Sequence, residues 1–169
     1  MIGREGLHRT VLVELFTQAG AVAPRSYIST GNITFSAPRR LLSQITGTVE
    51  AGIAAVIGRT ETVFIRSIDY LAELVASEPF SDSPFPDPIE RTVSFTASPI
   101  EPGRLDLPIV SRRTDVALFQ ATTGEVFVVG RLVDGKGGGG GGLVEKSVGQ
   151  AVTTRSWNTV LRIVADPGP

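Results

Sequence analysis

The sequence predicts an α+β fold built from two similar halves. Three observations carry that expectation. Stretches with apolar residues at helical spacing alternate with short runs of strand-forming residues. A proline-rich stretch, residues 78–90, divides the chain. A pair of strand-like runs joined by a glycine-bearing turn occurs on each side of it.

Leu7, Val11, Leu12, Leu15 and Phe16 recur at helical spacing, and Gly20 supplies a stop, so residues 7–16 read as a helix. Residues 26–36 read as a hairpin: Ile33 and Phe35 alternate with Asn32 and Thr34, and Thr30-Gly31-Asn32 tolerates the positive φ of a tight turn. A second helix follows, with Leu41, Leu42, Ile45, Val49, Ile53, Val56 and Ile57 as its apolar stripe. Gly47 and Gly52 each weaken that helix by about 1 kcal/mol relative to alanine. Residues 61–65 read as a strand, and residues 67–77 as a short helix with Leu71, Leu74 and Val75 inward.

Beyond the proline stretch, residues 91–97 read as a strand. Residues 115–121 and 125–132 form a second hairpin around Thr122-Thr123-Gly124. A run of six glycines, 137–142, precedes a short helix at 143–148 that Gly149 ends. The closing helix turns Trp157, Val160, Leu161 and Val164 inward and stops at Pro167. The expected organisation is therefore a half at 1–77, a connector at 78–90, and a half at 91–169 carrying a glycine-rich loop at 135–142. The first half lacks only a leading strand to be a ferredoxin-like βαββαβ unit.

Composition removes several plans. With 169 residues, 41% hydrophobic and 20% charged, the chain has material for a real core. Net charge is −1 with scattered charges, and Arg39-Arg40 and Arg112-Arg113 are isolated pairs, so no nucleic-acid partner is expected. The absence of cysteine rules out disulfides, thiol nucleophiles and thiolate metal sites. His8 is the single histidine, with no nucleophile motif beside it, and reads as a surface residue. Asp82 and Asp87 read as turn residues, and no metal site or cofactor is expected. No apolar run approaches the roughly 20 residues of a membrane span, and residues 1–6 have no apolar signal core. A cytoplasmic location without membrane partners follows as the expectation.

Three motifs resemble a known family. Tyr27-Ile28-Ser29-Thr30-Gly31-Asn32-Ile33-Thr34-Phe35 is similar to the Y-I-Q-S-G-N-V-x-F hairpin of the family called domain of unknown function 1697. Thr153-Thr154-Arg155-Ser156-Trp157-Asn158-Thr159-Val160 is similar to its T-T-R-N-W-N-T-V signature, and Leu143-Val144-Glu145-Lys146-Ser147-Val148-Gly149 resembles its L-E-K-x-L-G helix. The family carries no established activity, so the resemblance implies two ferredoxin-like halves packed together and no chemistry. Three departures stand out. Met1-Ile2-Gly3-Arg4 aligns with the end of the family's R-G-x-N-V-G-G, so its leading strand is missing. Either the start site is placed too late or the sheet keeps a gap, and an unfilled gap would leave an open sheet edge and favour a homodimer or poor solubility. Ser156 replaces the usual Asn, and the hexaglycine run is an insertion, expected to be a mobile loop.

The candidate chemistry is sparse. Gly135-Lys136-Gly137-Gly138-Gly139-Gly140 matches G-x-G-x-x-G literally, but any glycine run does, and no acidic residue stands about 20 positions on. Thr153 or Thr154 would cap the last helix for about 1 kcal/mol, and Trp157 would anchor it by burying roughly 150–250 Å². Arg155 and Asn158 could then meet the Ser29 to Asn32 turn.

The sequence thus points to a binding or interaction module without assigned catalytic residues. The candidate ligand-binding residues are Ser29, Gly31, Asn32, Lys136, Thr154, Arg155, Trp157 and Asn158, in a cleft between the 29–32 turn and the 154–158 helix start. The alternative is a nucleotide- or phosphometabolite-binding protein or enzyme, in which Arg155, Lys136 and the glycine loop hold a small anionic ligand.

Overall fold

The apolar spacing at the start of the chain folds into a helix, α1 (Arg9–Gln18), which buries Leu12 and Phe16. Gly20, at φ 92°, turns the chain out of it in a left-handed conformation that glycine adopts without strain. The computed structural model describes residues 6–27, 31–137 and 140–166. Two compact units divide the chain: Met1–Val63 with Ala165–Pro169, and Phe64–Val164. The fold is α+β, with two sheets.

In the first unit, β1 (Val22–Tyr27) pairs antiparallel with β2 (Asn32–Ser36), with a bulge between Val22 and Arg25. The hairpin begins four residues before its predicted start at Ser26, and its turn residues 28–30 lie outside the described residues. A 3-10 turn, Arg39–Leu41, leads into α2 (Leu42–Ile57). Ile45, Val49 and Ile53 repeat every four residues along α2, so they lie on one face. They pack with Leu12, Phe16, Ala19 and Ala21, and Ile33 and Phe35 of β2 close this core from the sheet. The Phe16 and Phe35 rings meet at 5.1 Å.

The two α2 glycines differ. A Cβ on Gly52 would stand 2.5 Å from Leu15 Cδ2, so the missing side chain lets α1 and α2 approach closely. Gly47 is exposed and has open space around it. Gly47→Ala is therefore expected to stabilise the protein by about 1 kcal/mol, read as a raised urea midpoint at unchanged slope.

Residues 61–65, read as a strand, form no ladder; β1 and β2 pair only with each other. The Val63 amide instead donates to Glu50 Oε1 on α2 at 2.9 Å. An extended segment becomes a strand only when a neighbour offers its backbone. The call of a missing leading strand falls on residues 1–5, outside the described residues.

In the second unit, Ser67 caps α3 (Ile68–Ala76) by accepting the Tyr70 amide. The strands are β3 (Glu90–Thr96), β4 (Ile109–Val110), β5 (Val116–Ala121), β6 (Glu125–Gly130) and β7 (Val152–Ser156). They form one sheet in the order β4-β5-β6-β3-β7, with all neighbours antiparallel. Between β6 and β7 runs α4 (Gly141–Val148), and α5 (Trp157–Ala165) follows β7 directly.

Every residue of β6 is buried, because both faces of the sheet are covered. On one face Val126 and Val128 join Val116, Leu118 and, from α4, Val144 and Val148. On the other, Ala117 and Val129 meet Phe85, with Phe80 and Phe119 packed against them. The proline-rich stretch, read as a connector, thus also supplies two core aromatics. Gly140, within the glycine run, has a packing role: it is buried, and a Cβ there would come within 2.6 Å of Val128 Cγ1. Glycines 138–139 lie outside the described residues.

The closing segment differs from the expectation in two ways. Thr153 and Thr154 do not cap a helix; they lie in β7, paired with Phe95 and Ser94 of β3. β-branched threonine fits a pleated edge as readily as a cap, and the open side of β3 decides the matter. The inner face of α5 is Trp157, Val160 and Ile163, whereas Leu161 is exposed.

Candidate functional site

Strand register places each side chain of the tryptophan motif. Val93 stands between Phe127 on β6 and Arg155 on β7, and Phe95 between Glu125 and Thr153. Since side chains alternate across a strand, Thr153 and Arg155 share a sheet face with Val93, Phe95, Glu125 and Phe127. Thr154 takes the opposite face, its hydroxyl 2.7 Å from that of Ser94.

Arg155 Nη1 donates to Thr153 Oγ1 at 2.7 Å and to the Thr154 carbonyl at 2.8 Å. Ala151 O accepts from Ala97 N on the β3 side, so alternation turns the Thr154 carbonyl to the free edge. The guanidinium therefore blocks an edge acceptor, which discourages strand addition there. Burial lowers the pKa of this arginine, which nevertheless stays charged.

Trp157 is buried, its ring 5.1 Å from Phe80 and 6.2 Å from Phe127, so it serves as an anchor. Asn158 is exposed. Thr154, Arg155, Trp157 and Asn158 thus come together only as neighbours along β7 and the start of α5. Lys136 is exposed and bridges to Val133. Gly31 has φ 79° and Asn32 pairs with Tyr27, both in the first unit, while Ser29 lies outside the described residues. His8 is exposed, as read from the sequence.

A different cluster stands on the Phe95 row of that sheet face. Glu125, the first residue of β6, has a fully buried side chain. Its Oε2 accepts from Tyr70 Oη at 2.6 Å and from Thr122 Oγ1 at 2.5 Å. Thr122 Oγ1 in turn accepts the amides of Gly124 and Glu125, which fixes the turn. Glu125 Oε1 accepts no hydrogen bond from the described residues. Arg66 Nε lies 3.5 Å away, an ion pair without hydrogen-bond alignment.

The guanidinium of Arg66 is held by other acceptors: Nη1 donates to Ile65 O at 2.9 Å and Nη2 to Thr96 O at 3.1 Å. It lies 5.2 Å from the centre of the Phe95 ring, within cation–π range. Burial pushes the Tyr70 pKa up to about 12, helped by the hydrogen bond to Glu125 and its charge. The phenol therefore remains a proton donor to the carboxylate at neutral pH.

These groups floor a cleft of about 400 Å³, walled by Ser67, Ser98, Pro99, Thr123 and Gly124. A Cβ on Gly124 would sit 3.8 Å from both Arg66 Nη2 and Tyr70 Oη, at ordinary contact distance, so a longer side chain at this position would extend into the cleft. Among the described residues no three acidic or imidazole groups gather as a metal site requires. Among the described residues no helix is long and apolar enough to cross a membrane.

The family model described as Protein of unknown function (DUF1697) matches residues 2–127, most of the chain. The chain belongs to the DUF1697 family. The match takes in the Tyr27 to Phe35 hairpin motif, and with it Arg66, Tyr70, Thr122 and Glu125; the motifs at 143–149 and 153–160 lie beyond it. No curated protein and no solved structure matches the chain.

For this DUF1697 chain the reading of residues singled out the tryptophan motif and missed the glutamate. One signal was present. Glu125 stands in phase with Phe127 and Val129, two residues apart in a run that is otherwise apolar. A carboxylate on the inward phase of a strand needs partners, and that need points to a site.

Proposed function

We propose that this chain is a non-enzymatic binding module for a small polar ligand, and that its site is the cleft above Arg66, Tyr70 and Glu125. One observation carries the reading: a fully buried carboxylate at the base of an open cleft, with one oxygen left without a donor. A purely structural carboxylate gains most when both oxygens are satisfied, and a half-satisfied one is costly. Binding fits these groups better than catalysis. Two hydroxyls hold Glu125 Oε2, Tyr70 stays protonated, and Thr122 Oγ1 is engaged by two backbone amides.

We also infer that each unit is a ferredoxin-like half. The order β7-β3-β6-β5 with α4 crossing from β6 to β7 supports this for the second unit. There the first crossover helix of such a unit is replaced by the irregular stretch between β3 and β5, which carries the short β4.

The test is a thermal-shift screen against nucleotides and polar metabolites, repeated on Gly124→Leu, whose side chain would fill the cleft mouth. A ligand at 100 times its Kd adds about 2.7 kcal/mol of stability. The expected result is a response in the natural chain that Gly124→Leu abolishes. A flat screen, or responses that survive the substitution, would sink the reading.

A further inference from the structure

We propose that the ligand of this cleft carries a protonated amine, which donates a hydrogen bond to Glu125 Oε1. The inference rests on the binding reading above and narrows it to a chemical class. Glu125 Oε1 is a buried charged acceptor, and acceptors of that kind are completed by donors. No described residue of the second unit donates to it. Tyr70 and Thr122 are both on Oε2. Arg66 donates to the carbonyls of Ile65 and Thr96, with its guanidinium 5.2 Å from the centre of the Phe95 ring and its Nε out of line with Oε1.

A cationic donor fits this oxygen best. Hydrogen bonds between ionised partners are about twice as strong as neutral ones, and more so where water is excluded. An anion would face the Glu125 carboxylate directly, with its one nearby cation already engaged. A neutral hydroxyl could satisfy the geometry but would leave the buried charge with only the misaligned Arg66 pair. Arg66, 3.5 Å from the buried Oε1, is 25% exposed, so an amine reaches this oxygen by displacing the Arg66 side chain from its two carbonyls into solvent. Hydroxyls of Ser67, Ser98 and Thr123 on the cleft wall are available for an acceptor elsewhere on the ligand. A volume near 400 Å³ suits a small molecule and not a folded partner.

Three matched probes separate the alternatives: ethanolamine, ethylene glycol and glycolate, which present an ammonium, a hydroxyl and a carboxylate on the same two-carbon frame. Each is titrated into the full chain while the backbone amide signals of Ser98 and Gly124 are followed by NMR. Ethanolamine is expected to shift those signals with a Kd at least about tenfold tighter than the glycol, the scale of one charged hydrogen bond. Glycolate is expected to leave them unmoved.

Glu125→Gln keeps an acceptor for Tyr70 and Thr122 but removes the charge, and should lose the ethanolamine response while keeping a folded spectrum. Should that variant fail to fold, Gly124→Leu provides the second check, since it blocks the cleft without touching the carboxylate. Equal binding of the glycol or glycolate, no response to ethanolamine, or an ethanolamine response that survives either folded variant would overturn the inference. A library screen that finds cleft ligands blocked by Gly124→Leu, none of them amines, would retain the binding reading and discard only this class.

Discussion

Truncating Trp157 to alanine is expected to cost about 3–5 kcal/mol, the range for removing a large aromatic side chain from a packed core. The ring is 8% exposed and contacts Phe80 at 5.1 Å and Phe127 at 6.2 Å, both in tilted or edge-on geometry. Phe80 also meets Phe119 and Phe127, so the cavity would open inside an aromatic group that joins β5, β6, the proline-rich stretch and α5. These neighbours come from separate elements and cannot all collapse into the void together. Trp157→Phe should lose distinctly less, because it keeps a ring for Phe80. The measurement is urea denaturation followed by circular dichroism, since Trp157 is the single tryptophan and the variants lack that fluorophore. A cost below about 1 kcal/mol would place Trp157 among ordinary surface substitutions and remove it as an anchor.

The same residue shows where sequence reading succeeds. Burial of Trp157, Leu12, Phe16, Ile45, Val49 and Ile53 follows from local spacing, because helical faces are set by residues three and four apart. The hairpin around Thr122-Thr123-Gly124 was legible for the same reason: its turn chemistry is local. What was not legible depends on distant partners. Residues 61–65 have strand-like composition, but no strand adjoins them, and Val63 gives its amide to α2 instead. Thr153 and Thr154 suit a cap or a strand equally, and only the register with β3, about sixty residues earlier, selects the strand. Phe80 and Phe85 were hidden because prolines around them suggested a solvated link. Glu125 was hidden for the deepest reason. Its burial needs β3 and β5 on either side, and its hydroxyl partner Tyr70 arrives from α3, 55 residues away.

Glu125→Ala is expected to cost about 3–5 kcal/mol, because removing one member of a buried ion pair strands the other. Arg66 would keep its carbonyl partners but lose the carboxylate paired with it, and the hydroxyls of Tyr70 and Thr122 would lose their acceptor. The double replacement Glu125→Met with Arg66→Met, which removes both charges, should behave differently. Apolar groups of similar volume remove the desolvation cost together with the bonds, so the pair is expected to recover to within about 1–2 kcal/mol of the natural chain. Both variants retain Trp157, so urea unfolding can be followed by its fluorescence. If Glu125→Ala costs less than about 1 kcal/mol, the carboxylate is not held in the low-dielectric setting that the binding reading requires. If the double variant proves as stable as expected and no longer responds to cleft ligands, stability and binding separate at this ion pair. That outcome would assign the buried carboxylate, with its unmatched oxygen at the foot of the cleft, to a ligand and not to the fold.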